Sequence, residues 1–418
     1  MTPDIEQLIE TEHAKLSGAN PSLPSNLATV ITTFQRWLYL PDPAPLLAVL
    51  GTVAANLMEG DPVWLLLIGP PGGGKTELLQ PLRGLPNVHM ASTLTEASLL
   101  SGTSSRDRAA NASGGLLKSI GNFGIVLCKD FTSVLAMNRD TRACVLAALR
   151  EIYDGFWTRH VGVDGGRTLS WQGKLGLIAA CTSVIDSHHG VIATMGERFI
   201  MFRLPAIDED KVALRALQHQ GAESEMRKEL QAAVGALFRN IEFAASALDD
   251  AERARLVALA TLAVRCRSAV ERDGYTREVE LIPEAEAPGR LALALARLLS
   301  GVSAIGANRM DAWRVVSKVA LDCLPALRLR VIQALSGAAA PLDTTNVASI
   351  VRYPTQTTRR ALEDLTAHDV VKRRSQGSGK ANTWRLADWT VTKCADAGVT
   401  FPETSDEGHE GGFPETSE

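Results

Sequence analysis

The sequence predicts an α/β fold in which a parallel sheet comes first, an all-helical region second, and a small helical unit with a two-stranded ribbon last. Three observations lead there. Between residues 46 and 206, short apolar runs at 63–68, 124–128, 175–181 and 199–204 alternate with helical segments, the rhythm of parallel strands joined by crossover helices. Residues 207–335 read as helices only, rich in Ala, Leu and Arg. Residues 326–392 read as three short helices followed by two basic strands around a Ser/Gly turn.

The chain has 418 residues with 43 Lys+Arg against 47 Asp+Glu, a formal net charge of -4. That length suits two or three domains with a sizeable core. The near-neutral balance excludes a general coat of positive charge, so nucleic-acid contact must come from a local patch. The longest apolar run, 63–68, is too short to span a bilayer. The acidic start MTPDIEQLIE lacks the basic and apolar stretches of a secretory signal. Cys128, Cys144, Cys181, Cys266, Cys323 and Cys394 are scattered without metal spacing. The expectation is a reduced, cytoplasmic protein without a membrane partner.

In chain order, residues 1–45 form an N-terminal helical lead-in whose helix, 27–40, stops at the proline-rich 41–45. A second helix, 46–58, and the turn Glu59-Gly60-Asp61-Pro62 feed the first strand. The expected domains are an α/β core at 46–206, a helical domain at 207–325 and a third unit at 326–392. Residues 393–418 are acidic, repeat Phe-Pro-Glu-Thr-Ser at 401 and 413, and lack an apolar period. They are expected to be disordered, with a docking peptide for a protein partner as the alternative reading.

The strongest motif is Gly69-Pro70-Pro71-Gly72-Gly73-Gly74-Lys75-Thr76, which fits G-x-x-x-x-G-K-[ST] after an apolar strand and before a helix opening at Glu77. Glycines let the backbone curl so that its N–H groups face phosphate oxygens. Lys75 would reach the β- and γ-phosphates, Thr76 would place a hydroxyl on Mg²⁺, and the helix start would add its positive end. ATP and Mg²⁺ are thus the expected cofactors. Farther on, the strand 124–128 ends in Lys129-Asp130, where Asp130 can hold Mg²⁺. A second acid to polarise water is missing from that tip; either Glu151 or Asp154 supplies it or hydrolysis is slow.

The order of parts then carries a resemblance. GPPGGGKT is followed by the Lys129-Asp130 strand, a helix with Arg150-Glu151, a hairpin-like stretch at 158–174, the strand LGLIAACTS and Gly196-Glu197-Arg198-Phe199. That series resembles the MCM-like branch of the AAA+ ATPases over roughly residues 46–330. The resemblance implies a P-loop AAA+ core with a helical lid, assembled as a homo-oligomeric, hexameric ring. It implies Thr182 where the branch has its sensor 1 Asn, Arg198 as an arginine finger from a neighbouring subunit, and Arg290 as sensor 2. It further implies that 101–115 is the helix-2 insert and that the hairpin touches DNA, with Arg159, Arg167 and Lys174 as phosphate contacts.

The last unit resembles a winged helix-turn-helix. Thr357, Arg359 and Arg360 open its third helix, the end that meets base edges or phosphates in such docking. Lys372, Arg373, Arg374 and Lys380 concentrate charge on the ribbon. The same shape can also dock protein. The adjacent His188-His189 pair has no third ligand near it in sequence and reads as a polar loop.

Together these features predict an ATPase acting on DNA, a helicase or translocase of replication in a phage or mobile element. An ATP-dependent, DNA-bound switch or loader that recruits a replication or transposition partner is the alternative, favoured by the irregular Lys129-Asp130. A protein-remodelling ATPase is a third reading, disfavoured because no aromatic-apolar-Gly tripeptide follows the second strand.

Overall fold

A computed structural model describes residues 26–103, 114–162, 165–188, 198–206, 208–241, 243, 247–375, 377 and 381–401. Within it the chain forms two compact units, one of Met1–Ala260 with Glu286–Cys323 and the other of Thr261–Ala285 with Leu324–Glu418.

The first unit begins with α1 (Leu27–Trp37), capped by the Asn26 side chain, and α2 (Ala44–Leu57). Helix α2 is buried along almost its whole length, because its sequence is apolar on every face. Its one amide, Asn56, satisfies the strand entry that follows: Nδ2 donates to the Thr52 and Val63 carbonyls and Oδ1 accepts from the Val63 N–H. That three-way link launches β1 (Trp64–Ile68), all five residues of which are buried. Next come α3 (Lys75–Leu79), β2 (Val88–Ala91), α4 (Glu96–Leu99), α5 (Leu116–Ile120) and β3 (Phe123–Cys128). They are followed by α6 (Thr132–Leu135), α7 (Arg139–Tyr153) and the antiparallel pair β4 (Phe156–Val161) and β5 (Arg167–Gln172). Strands β6 (Lys174–Cys181) and β7 (Phe199–Arg203) complete a five-stranded parallel sheet of order β2-β3-β6-β1-β7. Helices α8 (Glu209–Gln218), α9 (Glu223–Arg239) and α10 (Asp250–Arg267) follow.

Strand β2 was not legible as a strand, since it is an edge element with mixed burial around His89. The expectation that 207–335 is helical throughout is corrected by a ribbon of β8 (Glu271–Arg272) and β9 (Val279–Leu281). Its strands are two and three residues long and carry two glutamates, so no apolar run marks them.

Returning to the first unit, α11 (Gly289–Ala304) and α12 (Arg309–Asp322) cover α2 and β7. Helices α2 and α11 cross at Gly51 and Gly301. A methyl on Gly301 would stand 2.1 Å from the Gly51 carbonyl oxygen and 2.8 Å from the Ala55 nitrogen. The backbones therefore touch, and dispersion contacts there are made by main-chain atoms.

The second unit contains the β8–β9 ribbon, α13 (Ala326–Ser336), β10 (Leu342–Asp343), α14 (Thr344–Val351) and α15 (Thr355–Ala367). Strands β11 (Val371–Arg374) and β12 (Thr383–Leu386) join β10 in an antiparallel sheet of order β10-β12-β11. Helix α16 (Asp388–Asp396) then crosses the boundary at which a disordered tail was expected to begin; the repeated segment at 402–418 lies outside the described residues. Trp384 is buried and donates its indole N–H to Thr344 Oγ1, and Arg328 spans the Cys266 and Ser268 carbonyls and the Asp364 carboxylate.

No helix among the described residues is long and apolar enough to cross a membrane.

The Gly51–Gly301 crossing yields a direct test. Gly301→Ala should cost about 2 kcal/mol, the usual penalty of overpacking a closed core, read by urea denaturation of the full chain. An unchanged midpoint would show that the helices can move apart freely.

Candidate functional site

The parallel sheet has two chemically different ends. At the carboxyl end, β1 runs into the glycine loop, and its neighbours hold that exit in place. The Gly69 N–H donates to the Cys181 carbonyl of β6, and the Leu204 N–H donates to the Ile68 carbonyl. The loop then turns sharply, with Gly73 N–H donating to Pro70 O. Gly72 and Gly74 take left-handed φ values of 73° and 77°. A Cβ built on either one meets nothing within 4 Å, so glycine is needed there for backbone conformation and the space beside it is open. Pro70 and Pro71 are exposed, and Gly69 is packed under Leu204.

Gly74 is the residue preceding α3, and α3 is only five residues long before Pro81 turns the chain into a 3₁₀ segment, Gln80–Gly84. The axial dipole there is correspondingly small, and the loop's own N–H groups and Lys75 carry most of the positive potential. Lys75 Nζ donates to the Gly69 and Pro70 carbonyls at 2.8 and 2.6 Å, folding the ammonium across the loop. Partial burial pulls its pKa below the ordinary lysine value, with Cys181 and the Asp130 carboxylate opposing that shift. Thr76 is exposed at the loop's end, and Glu77 pairs with Arg227 of α9 at 2.9 Å.

Because β6 lies between β1 and β3, the strand tips of all three converge. Asp130 follows β3, is exposed, and its Oδ1 accepts from the Thr132 N–H. Thr182 follows β6; its N–H donates to Thr132 Oγ1 at 3.2 Å, and the two hydroxyls lie 3.5 Å apart. Thr132 thus ties the two tips together, a role the sequence reading missed because nothing in the motif flags a hydroxyl two residues beyond Asp130. Arg203 also went unread. It ends β7 beside Ile68, makes a two-pronged ion pair with Asp186 at 2.8 Å on both branches, and donates its N–H to Asp322.

Such an edge is where open parallel sheets bind ligands. Open space at Gly72 and Gly74, an ammonium held over the loop and a carboxylate across from it suit a phosphate chain with a divalent cation. Thr76 and Asp130 are the residues that would hold Mg²⁺. No group of three or more His, Cys, Asp or Glu side chains that could hold a metal ion occurs among the described residues.

The amino end gathers a different set. A cleft of about 500 Å³ is lined by Asp61, Tyr153, Asp154, Lys174, Arg290 and Arg297, among others. Arg198 is buried, stacks on Tyr153 and pairs with Asp154 at 2.6 Å. It precedes Phe199, whose strand partner is Trp64 at the start of β1, so it lies about 20 Å of strand away from its own chain's glycine loop. Arg290 pairs with Glu286 on the rim of the same cleft and does not join the loop. Asp154 cannot act on a water beside Asp130: α7 runs 15 residues, about 22 Å, toward the opposite end of the sheet.

The hairpin cations are partly committed elsewhere. Arg159 donates to the Leu100 carbonyl behind α4, and Lys174 donates to Met58 O and faces the cleft. Arg167 sits near the hairpin's end, paired with Val161. In the second unit Thr357, Arg359 and Arg360 are exposed on the first turns of α15, and Lys372, Arg373 and Arg374 are exposed on β11. Arg373 lies over the Trp384 ring, and Lys372 and Arg385 share Asp388, whose pKa they hold down at about 2. Lys380, Glu197 and most of 101–115 lie outside the described residues.

No protein-family model matches the chain, and no curated protein matches it. Among solved structures it is similar to the apo A form of the NrS-1 C-terminal region, at 14% identity over 89% of this chain and 78% of that one, with a TM-score of 0.30. A second structure of that region, covering 305–718, gives 13% identity and the same TM-score. Likeness at that level carries no functional argument.

Lys174 supplies a pH test of the cleft. Burial, then the Arg297 cation, lowers its pKa from 10.5 to about 8, against a smaller opposite pull from Asp61. Between those two values the unfolded chain holds the proton that the folded chain has lost, so stability rises with pH there. Melting temperatures of the full chain and of Lys174→Met should therefore draw together as pH rises from 8 towards 10.5, with the variant the more stable below pH 8. A difference that is flat with pH would contradict this.

Proposed function

We propose that the chain is an ATPase that assembles head to tail and acts on DNA, in replication of a phage or mobile element. The observation that carries this reading is the left-handed glycine loop with Lys75 folded over it, facing Asp130 across the strand tip that holds Thr182. In a hydrolysing site the Lys75 ammonium would leave the Gly69 and Pro70 carbonyls for the β- and γ-phosphates. Mg²⁺, held by Thr76 and Asp130, would supply charge neutralisation at the phosphate chain. The Thr132–Thr182 hydroxyl pair is suited to orient a water, with fewer hydrogen bonds than an amide would offer.

The two-ended sheet supports an assembly in which neighbours share sites. Arg198 and Arg290 are remote from their own loop and gathered on the opposite edge. A repeating, non-self-complementary contact would bring that edge to the loop of the next copy, and such contacts form a ring where the rotation closes. Arg198 would exchange Asp154 for the γ-phosphoryl group, where a planar guanidinium stabilises developing charge. For the second unit we propose a winged helix, with α15 at duplex DNA and the β11–β12 ribbon against its backbone. Exposed Arg360 and Arg374 support that reading, with Arg359 exposed beside them and paired to Glu363 one turn along the helix. The hairpin is the weaker DNA candidate, since Arg159 and Lys174 have structural partners.

A slow switch in place of a motor is favoured by one observation: among the described acids, Asp154 is at the wrong end of the sheet, Asp186 is tied to Arg203 and Glu77 to Arg227, while Asp130 faces the loop.

Steady-state ATP hydrolysis, alone and with single- or double-stranded DNA, tests both readings. Lys75→Ala and Arg198→Ala should each lose about a hundredfold or more in rate. Mixing the two variants should restore part of it, because some sites then combine an intact loop with an intact Arg198. Stimulation by DNA supports the motor; slow, DNA-insensitive turnover supports the switch. Full activity in Lys75→Ala would overturn the proposal.

A further inference from the structure

In the second unit the turn joining β8 to β9 is built in unusual detail around one residue. Asp273 Oδ1 accepts from the Tyr275 N–H at 2.8 Å, the Thr276 N–H at 2.6 Å and the Thr276 hydroxyl at 3.0 Å. The Thr276 hydroxyl in turn accepts from the Glu278 N–H, and the Arg277 N–H donates to the Asp273 carbonyl. Arg277 is held at φ 62°, a left-handed conformation that arginine rarely adopts. All of this leaves Tyr275 96% exposed.

The turn is also fixed in place. Arg272 donates to the Arg277 carbonyl at 2.8 Å and to the Arg360 carbonyl of α15 at 3.1 Å, and it pairs with Glu363 and Asp364 of the same helix. One guanidinium therefore bridges the tyrosine turn to the segment of α15 that carries Arg359 and Arg360. A short two-stranded ribbon is marginal by itself, so this anchor is what keeps the tyrosine beside the helix.

We propose that Tyr275 is a base-stacking platform: its ring packs on an unpaired nucleobase flanking the duplex that α15 contacts. A planar ring on a rigid tip loses little conformational freedom on stacking, and cations on Arg277, Arg359 and Arg360 would hold the strand's phosphates near it. The ribbon's own strands carry Glu271 and Glu280, and Glu278 closes the turn between them. The Tyr275 ring itself thus contributes stacking and not charge, and the effect of removing it should not depend on salt. This inference rests on the reading of the second unit as a DNA-binding module.

The test is fluorescence-anisotropy binding of the full chain to a blunt duplex, to the same duplex with a single-stranded arm, and to that arm made abasic. Tyr275→Ala should weaken binding to the armed duplex about tenfold, with no change in the salt slope. Tyr275→Phe should bind like the wild type, and the blunt and abasic probes should not distinguish Ala from Tyr. Because the ring packs against nothing, Tyr275→Ala removes no core contact. Equal binding of Tyr275→Ala and wild type to the armed duplex would overturn the stacking proposal and leave the ribbon to a protein partner. Failure of the wild type to bind any of the three probes would instead overturn the parent reading, and this inference with it. Weakening by Arg359→Ala with Arg360→Ala on the blunt duplex, accompanied by a shallower salt slope, tests that parent independently.

Discussion

Strand β1 is paired in parallel on both sides, with Trp64 to Ile68 opposite Leu177 to Cys181 of β6 and Phe199 to Arg203 of β7. Everything at the glycine loop depends on that registration. It lets the Gly69 N–H reach the Cys181 carbonyl and the Leu204 N–H reach the Ile68 carbonyl, so the loop leaves the sheet at a fixed height and direction. A fully buried strand cannot slip by one residue without exposing its apolar face, and Asn56 and the Trp64 indole, bonded to the Leu175 carbonyl, pin its start. The wide glycine φ values at 72 and 74 are then free to shape the turn, since the sheet has already fixed the loop's base.

The same parallel arrangement separates two chemistries. All five strands point one way, so residues that follow strands (Gly69, Asp130, Thr182) gather at one edge. Residues that precede them (Asp61, Lys174, Arg198) gather at the other. Helix α7 bridges the edges and delivers Tyr153 and Asp154 to the second. Polarity of the sheet thus does what no single motif does: it gives the molecule one edge with the glycine loop and Asp130 and another with Lys174 and Arg198, which cannot meet within one copy. The head-to-tail assembly proposed above would use both.

How much of this was legible depended on the range of the interaction. Strands β1, β3, β6 and β7 are continuous apolar runs and were readable from periodicity, as was the hairpin from its Asp-Gly-Gly turn. The three helices and ribbon of the second unit were readable from turn residues and charge. Strand β2 was hidden because an edge strand with His89 at its centre has no apolar signature, and β8–β9 because five residues with exposed glutamates look like a loop. Side-chain placement was the larger gap. That Arg198 pairs with Asp154 follows from the length of α7 and the order of strands, both long-range facts, and neither residue's neighbours in sequence encode it. Tyr275 was passed over for the same reason: its meaning comes from Arg272 reaching α15, some 90 residues on.

The central claim is that the glycine loop cradles a triphosphate, and calorimetric titration of Mg·ATP into the full chain tests it without any need for turnover. A side chain at Gly74 must abandon the left-handed turn, at a cost of roughly tenfold in affinity, while its Cβ clashes with nothing. The account therefore predicts measurable binding by the wild type and a loss of about tenfold or more in Gly74→Ala, a variant that still unfolds cooperatively but at a melting temperature lowered by the strain of a left-handed alanine. Binding of equal strength in the wild type and Gly74→Ala, or none in a folded wild type, would contradict it.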